Sequence, residues 1–122
     1  MTAPGFIYLA SPYSHPDLNV MIERWDKACR AAAHIIERDR RSVFCPVAHS
    51  HPLSLYMSPE ACRDHDLWMA VDLPILRHAE KLLVLMLEDW RSSRGIADEV
   101  ACALDCLVPI EFINPVDWGI EP

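Results

Sequence analysis

The sequence predicts an α/β fold built on a parallel sheet, and three observations predict it. Short apolar runs alternate with longer segments of helical period. Every run after the first is entered from such a segment, so consecutive strands need crossover connections and pair in parallel. Polar loops with proline or glycine follow the runs, which is where an open sheet places its crevice. The order is β-α-β-α-β-α-β in one domain over residues 1–122.

Phe6 to Ser11 (FIYLAS) reads as a short, fully buried strand, followed by the loop SPYSHP. Asp17 or Asn19 caps the next helix. There Met21, Trp25, Ala28, Cys29, Ala32, Ile35 and Ile36 recur at helical spacing, and Arg38 to Arg41 place cations near the C-terminus. Ser42 to Val47 (SVFCPV) reads as the second strand, with Pro46 near its end or on an edge. Residues 48–59 (AHSHPLSLYMSP) read as a loop. Ser58 and Pro59 open a helical pattern that runs to about Ala79, with Pro74 expected to kink or restart it. Lys81 to Leu87 is the third strand.

Glu88 to Ala101 (EDWRSSRGIADEVA) is the stretch around which the rest is organised. It is a polar turn that opens a helix ending near Leu107, with Ser92 or Ser93 as N-cap and Gly95 allowing close backbone approach. Backbone N–H groups at such a start attract anions. Pro109 to Ile113 (PIEFI) is the fourth strand, and residues 114–122 form a tail.

The 122 residues suffice for one core, and 52% hydrophobic with 24% charged residues is ordinary for a globular protein. A net charge of -7 argues against binding a nucleic-acid polymer, which needs a basic surface. No apolar run approaches the ~20 residues that span a bilayer, and no basic leader precedes FIYLAS, so the expectation is a cytoplasmic protein without membrane contact. Cys29, Cys45, Cys62, Cys102 and Cys106 form no C-x-x-C pair and read as buried thiols.

The candidate chemistry gathers at the strand ends. On the organising helix, Ile96, Val100, Ala103, Leu104 and Leu107 form one apolar stripe. Asp98 points away from it as a solvated charge. Glu99 borders it, with Gly95 and Ala103 one turn to either side, so it is either a half-buried nucleophile or base or a helix-edge glutamate paired to an arginine. Tyr8 in the first strand either reaches a carboxylate in the crevice or is a core tyrosine. Asp72 falls among Trp68, Ile75 and Leu76 on an apolar side. Burial there would raise its pKa as a general acid or base requires, whereas the structural alternative is an N-cap before Pro74. Ser11, Tyr13 and Ser14 line the first loop, which has neither a P-loop nor a dinucleotide fingerprint. His49 and His51, even with Asp64 or His65, lack a recognised zinc spacing, so no metal is expected and His51 is assigned to pocket lining. Trp90 can stack on a base or simply pack, and Arg91 and Arg94 can meet a phosphate or stay solvated.

IYLASPYS at Ile7 to Ser14, the helix bearing Asp72, and the S-x-G-x-x-x-E turn of Ser93, Gly95 and Glu99 resemble the nucleoside 2-deoxyribosyltransferase-like superfamily. Within it the chain is most similar to small bacterial proteins of the DUF1937 type, for which HSHPL is also typical. The resemblance implies a flavodoxin-like three-layer sandwich with a four- or five-stranded parallel sheet and no cofactor. It implies that Glu99 attacks the anomeric carbon of a (deoxy)ribosyl group, that Tyr8 orients Glu99, and that Asp72 exchanges a proton with the leaving base. It also implies a homodimer or homotetramer in which a neighbouring subunit helps close the site, with Asn114 as the residue supplied.

Where the transferases carry an aspartate six residues before the glutamate, this chain has Ser93. The superfamily's nucleotide N-glycosidases use a serine there for phosphate. The expectation is therefore an N-glycosidase, or a deoxyribosyltransferase-like enzyme, acting on a nucleoside 5′-monophosphate or related nucleoside. The alternative is a non-catalytic nucleotide or nucleotide-sugar sensor. In either case Ser11, Tyr13, His51, Trp90, Ser93 and Gly95 are the substrate-binding candidates.

Overall fold

A computed structural model of the chain describes residues 5–120. It contains strands β1 (Ile7–Ala10), β2 (Val43–Phe44), β3 (Lys81–Leu85) and β4 (Ile110–Ile113), and helices α1 (Leu18–Asp39), α2 (Pro46–Ser54), α3 (Pro59–Cys62), α4 (His65–Leu76) and α5 (Arg94–Asp105). Short 3-10 turns cover Trp90–Ser92 and Pro115–Trp118. The four strands form one all-parallel sheet in the order β2-β1-β3-β4. The chain runs from β1 out to β2 and then crosses back to β3, so the strand order reverses between β1 and β3, where a doubly wound sheet opens its crevice.

Alternation along the strands divides the core into two layers. Ile7, Leu9, Leu83 and Leu85 pack with Ala28, Ala31 and Ile35 of α1 and with Val47 of α2. Tyr8, Ala10, Leu82 and Val84 pack with Leu76 of α4 and with Ile96, Cys102 and Ala103 of α5. The fold is the expected flavodoxin-like three-layer α/β sandwich, with four strands among the described residues.

Several local expectations change. The second strand is Val43–Phe44 rather than Ser42–Val47, and much of the expected loop 48–59 is helix α2. Pro46 explains both. It cannot donate to a ladder, and its fixed φ suits the first helical position, after Cys45 as N-cap. The pattern from Ser58 to Ala79 is two helices. Ser58 caps α3 through Ala61 N–H, and Asp64 accepts from Leu67 N–H (3.2 Å) to start α4. Pro74 lies within α4 and does not end it. The carbonyl that loses its partner there belongs to Ala70, and both residues are solvent-exposed.

Helix α5 ends at Asp105, and its inward face is Ile96, Glu99, Cys102 and Ala103. Leu104 and Leu107 are 64% and 89% exposed, so the inward stripe is rotated from the expected one and centres on Glu99. Fully buried Ala103 lets the helix approach the sheet closely, which turns both leucines outward. Cys106 is exposed, and Cys29 and Cys62 are half-buried; Cys45 and Cys102 are the buried thiols. The tail is packed as far as Ile120, which is buried, while residues 121 and 122 lie outside the described residues.

Candidate active site

The site is assembled from the local chemistry of one turn. Ser93, and not Ser92, caps α5: its backbone is extended (φ -71°, ψ 120°) and its hydroxyl accepts from Ile96 N–H at 3.2 Å. The helix so fixed carries Glu99 down its inward face toward β1. The phenol of Tyr8 donates a hydrogen bond to Glu99 Oε2 across 91 positions of sequence. Both side chains are buried, Tyr8 at 0% and Glu99 at 4% exposure. The other oxygen, Oε1, borders a notch left by Gly95. A Cβ at Gly95 would lie 3.9 Å from Oε1, 3.8 Å from Ser93 Oγ and 3.9 Å from Met69 Cε.

Helix α4 brings Asp72 to the same space. It is 4% exposed and lies inside the helix, so it is not the N-cap of a restarted one. Among the described residues Asp72 Oδ1 has no hydrogen-bond partner. A buried carboxylate oxygen without a donor is costly, and such exceptions concentrate where a ligand or proton is handled. Burial pushes the Asp72 carboxyl up to about 6. Burial is also the largest influence on Glu99, which rises to about 8. The Tyr8 hydrogen bond opposes that rise, and the charges of Asp72 and Asp98 add to it. Burial, then the charge of Glu99, raises the Tyr8 phenol, so it stays protonated and remains a donor. Two carboxyls in one low-dielectric space cannot both ionise freely, and near neutrality the pair holds one proton.

Tyr8, Asp72, Ser93, Gly95 and Glu99 are thus gathered at the switch between β1 and β3. Ser11 directly follows β1, buried, with its Oγ unpartnered among the described residues. Tyr13 and His51 form a separate pair on the α1–α2 side of the sheet. Tyr13 Oη lies 2.6 Å from His51 Nδ1, and the His51 ring stacks on Trp25 at 4.7 Å. Burial lowers the His51 pKa, disfavouring the charged ring. Trp90 packs against Phe112 of β4 (5.4 Å) with the Arg91 guanidinium over it (5.2 Å), so it lies toward the sheet edge. Asn114 caps the turn after β4, accepting from Val116 N–H at 3.0 Å.

The histidines diverge. His49 lies against Phe44 (5.5 Å), and His65 Nε2 meets Asp98 Oδ2 at 2.6 Å, tying α4 to α5. Asp98 is therefore exposed but paired. No group of three His, Cys, Asp or Glu residues is placed to hold a metal ion among the described residues.

Two residues escaped the sequence reading. Met69 closes one side of the notch, and the signal was its position three before Asp72 on the same helical face. Arg24 is buried on the inward face of α1 with Ala28, Ala31 and Ile35. The signal was an arginine four before Ala28, on the apolar side.

Residues 5–114 match a family model described as "Domain of unknown function (DUF1937)". No curated protein matches the chain.

Proposed function

The chain belongs to the DUF1937 family, and from its buried carboxyl pair we propose that it cleaves the N-glycosidic bond of a nucleoside 5′-monophosphate or a related nucleoside. The observation that carries this reading is Glu99, held by the Tyr8 phenol beside Asp72, whose Oδ1 has no partner among the described residues. Cleavage needs one carboxylate facing the anomeric carbon and one acid for the departing base, and a pair sharing one proton supplies both. Of the two carboxyls, Glu99 has the higher pKa. Positive charge developing on the sugar beside Oε1 favours the ionised glutamate and leaves the proton to Asp72.

In the first step Glu99 Oε1 forms a bond to the anomeric carbon. The C–N bond breaks, its electron pair stays on the base nitrogen, and Asp72 protonates the base. In the second step water forms a bond to that carbon, the Glu99 ester bond breaks, and Asp72 takes the proton back. A second base in place of water gives transfer. The first-turn backbone N–H groups of Arg94 and Gly95, which have no partner within the helix, and the Ser93 hydroxyl are the proposed phosphate site. The raised pKa of Glu99 is the observation that favours the rival, a sensor that binds without turnover.

A panel of nucleosides and their 5′-monophosphates, assayed for free base by chromatography, tests the reading. Base release from any member supports it. Stabilisation by a ligand without release selects the sensor, and no release with no binding rejects both.

Gly95→Ala separates access from stability. Beyond its chain neighbours and the helix's own backbone, no described atom lies closer than 3.8 Å to the new methyl, so it fits, and loss of a helical glycine adds up to about 1 kcal/mol. The same methyl fills the notch over Oε1. The expected outcome is an unchanged or higher thermal midpoint with turnover reduced about tenfold or more, as misplacement of a substrate costs. A parallel fall in both would show that the notch is not the entrance.

We further propose, from the resemblance to the transferase-like superfamily, that the chain is a homodimer or homotetramer. Leu55, Tyr56, Leu67 and Val71 are exposed and supply apolar surface for it to cover. Sedimentation velocity is expected to show no monomer at micromolar concentration, and a monomer there would reject it.

A further inference from the structure

We infer that Arg24 is a positioning residue that latches together the two loops at the mouth of the site. The residue is anomalous where it stands. Helix α1 otherwise turns alanine and isoleucine to the sheet, yet this arginine is 8% exposed. A charge at such depth persists only where partners satisfy it. Its partners come from two separate loops. Nη1 donates to the Ser14 carbonyl at 3.0 Å, and Nη2 donates to Asp89 Oδ2 at 3.3 Å.

Ser14 belongs to the loop that follows Ser11 at the end of β1. Asp89 belongs to the turn that follows β3 and leads to Ser93 and Gly95. β1 and β3 are the strands between which the strand order reverses, so one side chain spans the switch point. A cleft of about 230 Å³ lies against the latch, lined by His15, Arg24, Leu87, Glu88 and Asp89 among others.

The backbone of Asp89 gives the latch a task. Its φ is +68°, in the left-handed region that non-glycine residues seldom occupy. The turn it starts carries hydrogen bonds from Trp90 N–H to Leu87 O, from Ser92 N–H to Asp89 O and from Ser93 N–H to Trp90 O. Those bonds deliver Ser93 to its cap position. An ion pair to the Asp89 side chain holds the unfavourable conformation from outside the turn. Arg24 touches neither Glu99 nor Asp72, so it acts on the site through the loops alone.

The first measurement is native-state hydrogen exchange on the whole chain, for wild type, Arg24→Met, Arg24→Lys and Asp89→Asn. Arg24→Met is expected to speed exchange about tenfold in both residues 13–15 and residues 88–93, the loss of a charge-assisted hydrogen bond to each, while β1, β3 and α5 keep their protection. Arg24→Lys is expected to restore part of the protection. Asp89→Asn tolerates the left-handed backbone but loses the charge, so it is expected to loosen residues 88–93 and leave residues 13–15 as they were. Acceleration in one loop alone with Arg24→Met, or in neither, overturns the latch.

The second measurement rests on the glycosidase reading. With a substrate that the wild type cleaves, Arg24→Met is expected to raise KM about tenfold with kcat changed less than about threefold, because binding geometry is lost and not the reacting groups. A fall in kcat at constant KM overturns the positioning role. If the wild type cleaves nothing, that reading fails by itself, and hydrogen exchange still decides the latch.

Discussion

Glu99→Gln is expected to lower base release by at least about 10³-fold, the scale on which loss of a nucleophile is read in covalent mechanisms. The substitution keeps the volume and keeps an oxygen for the Tyr8 phenol, so the pocket survives while the carboxylate disappears. A stability measurement made on the same variant has the opposite sign. Glu99 holds its proton up to about 8 in the folded chain, against 4.5 ordinarily, and Asp72 holds its own up to about 6, against 3.8. Between those limits the pair binds more protons in the folded state than in the unfolded state, so its contribution to stability is fully present below about pH 4 and is lost as pH rises toward 8.

Glu99→Gln removes its share of that fall. The variant is expected to melt above the wild type at pH 8, with the difference vanishing toward pH 4.5. Thermal midpoints across this range, read beside chromatography of released base, check both halves. A variant that still releases base at the wild-type rate rejects the covalent route. A Glu99→Gln variant that melts no higher than the wild type at pH 8 would show that Glu99 is ionised and satisfied in the folded chain.

Tyr8→Phe carries the second large effect. The ring keeps its contact with Phe44 (5.6 Å), so the main loss is the hydroxyl. That hydroxyl donates to Glu99 Oε2 and holds the glutamate's pKa down against burial. Without it a buried acceptor loses its donor, which costs about 1–3 kcal/mol. The Glu99 pKa rises further, and the fraction of ionised nucleophile at neutral pH drops. Turnover at pH 7 is expected to fall about tenfold to a hundredfold, and the ascending limb of the pH–rate profile to move to higher pH. Denaturant midpoints and that profile are the readouts. An unchanged ascending limb would separate the Tyr8 hydroxyl from the ionisation of Glu99.

Much of this molecule is legible in the sequence because local signals are strong there. FIYLAS and the run ending in MLE are too apolar and too short for anything but buried strands. The helices between them require parallel pairing, and Ser58 and Ser93 mark helix starts through their own hydroxyls. The glutamate and glycine of the organising turn lie one helical turn apart whatever surrounds them.

Other features depend on contacts that local period does not encode. A 3.6-residue repeat assigns a face only to within about one residue, or 100°. Close packing of Ala103 on the sheet decided that Glu99 faces inward while Leu104 and Leu107 face water. Pro46 sits as well at a strand end as at a helix start, and the burial of Val47 and His51 favoured the helix. The bond from Tyr8 to Glu99, the open oxygen of Asp72 and the reach of Arg24 to two loops join residues that are distant in sequence. The sequence by itself determined the order of the strands, their parallel pairing and the residue types at the strand ends. Tertiary packing alone decided which of those residues meet, because burial and charge coupling arise only once the layers close on one another.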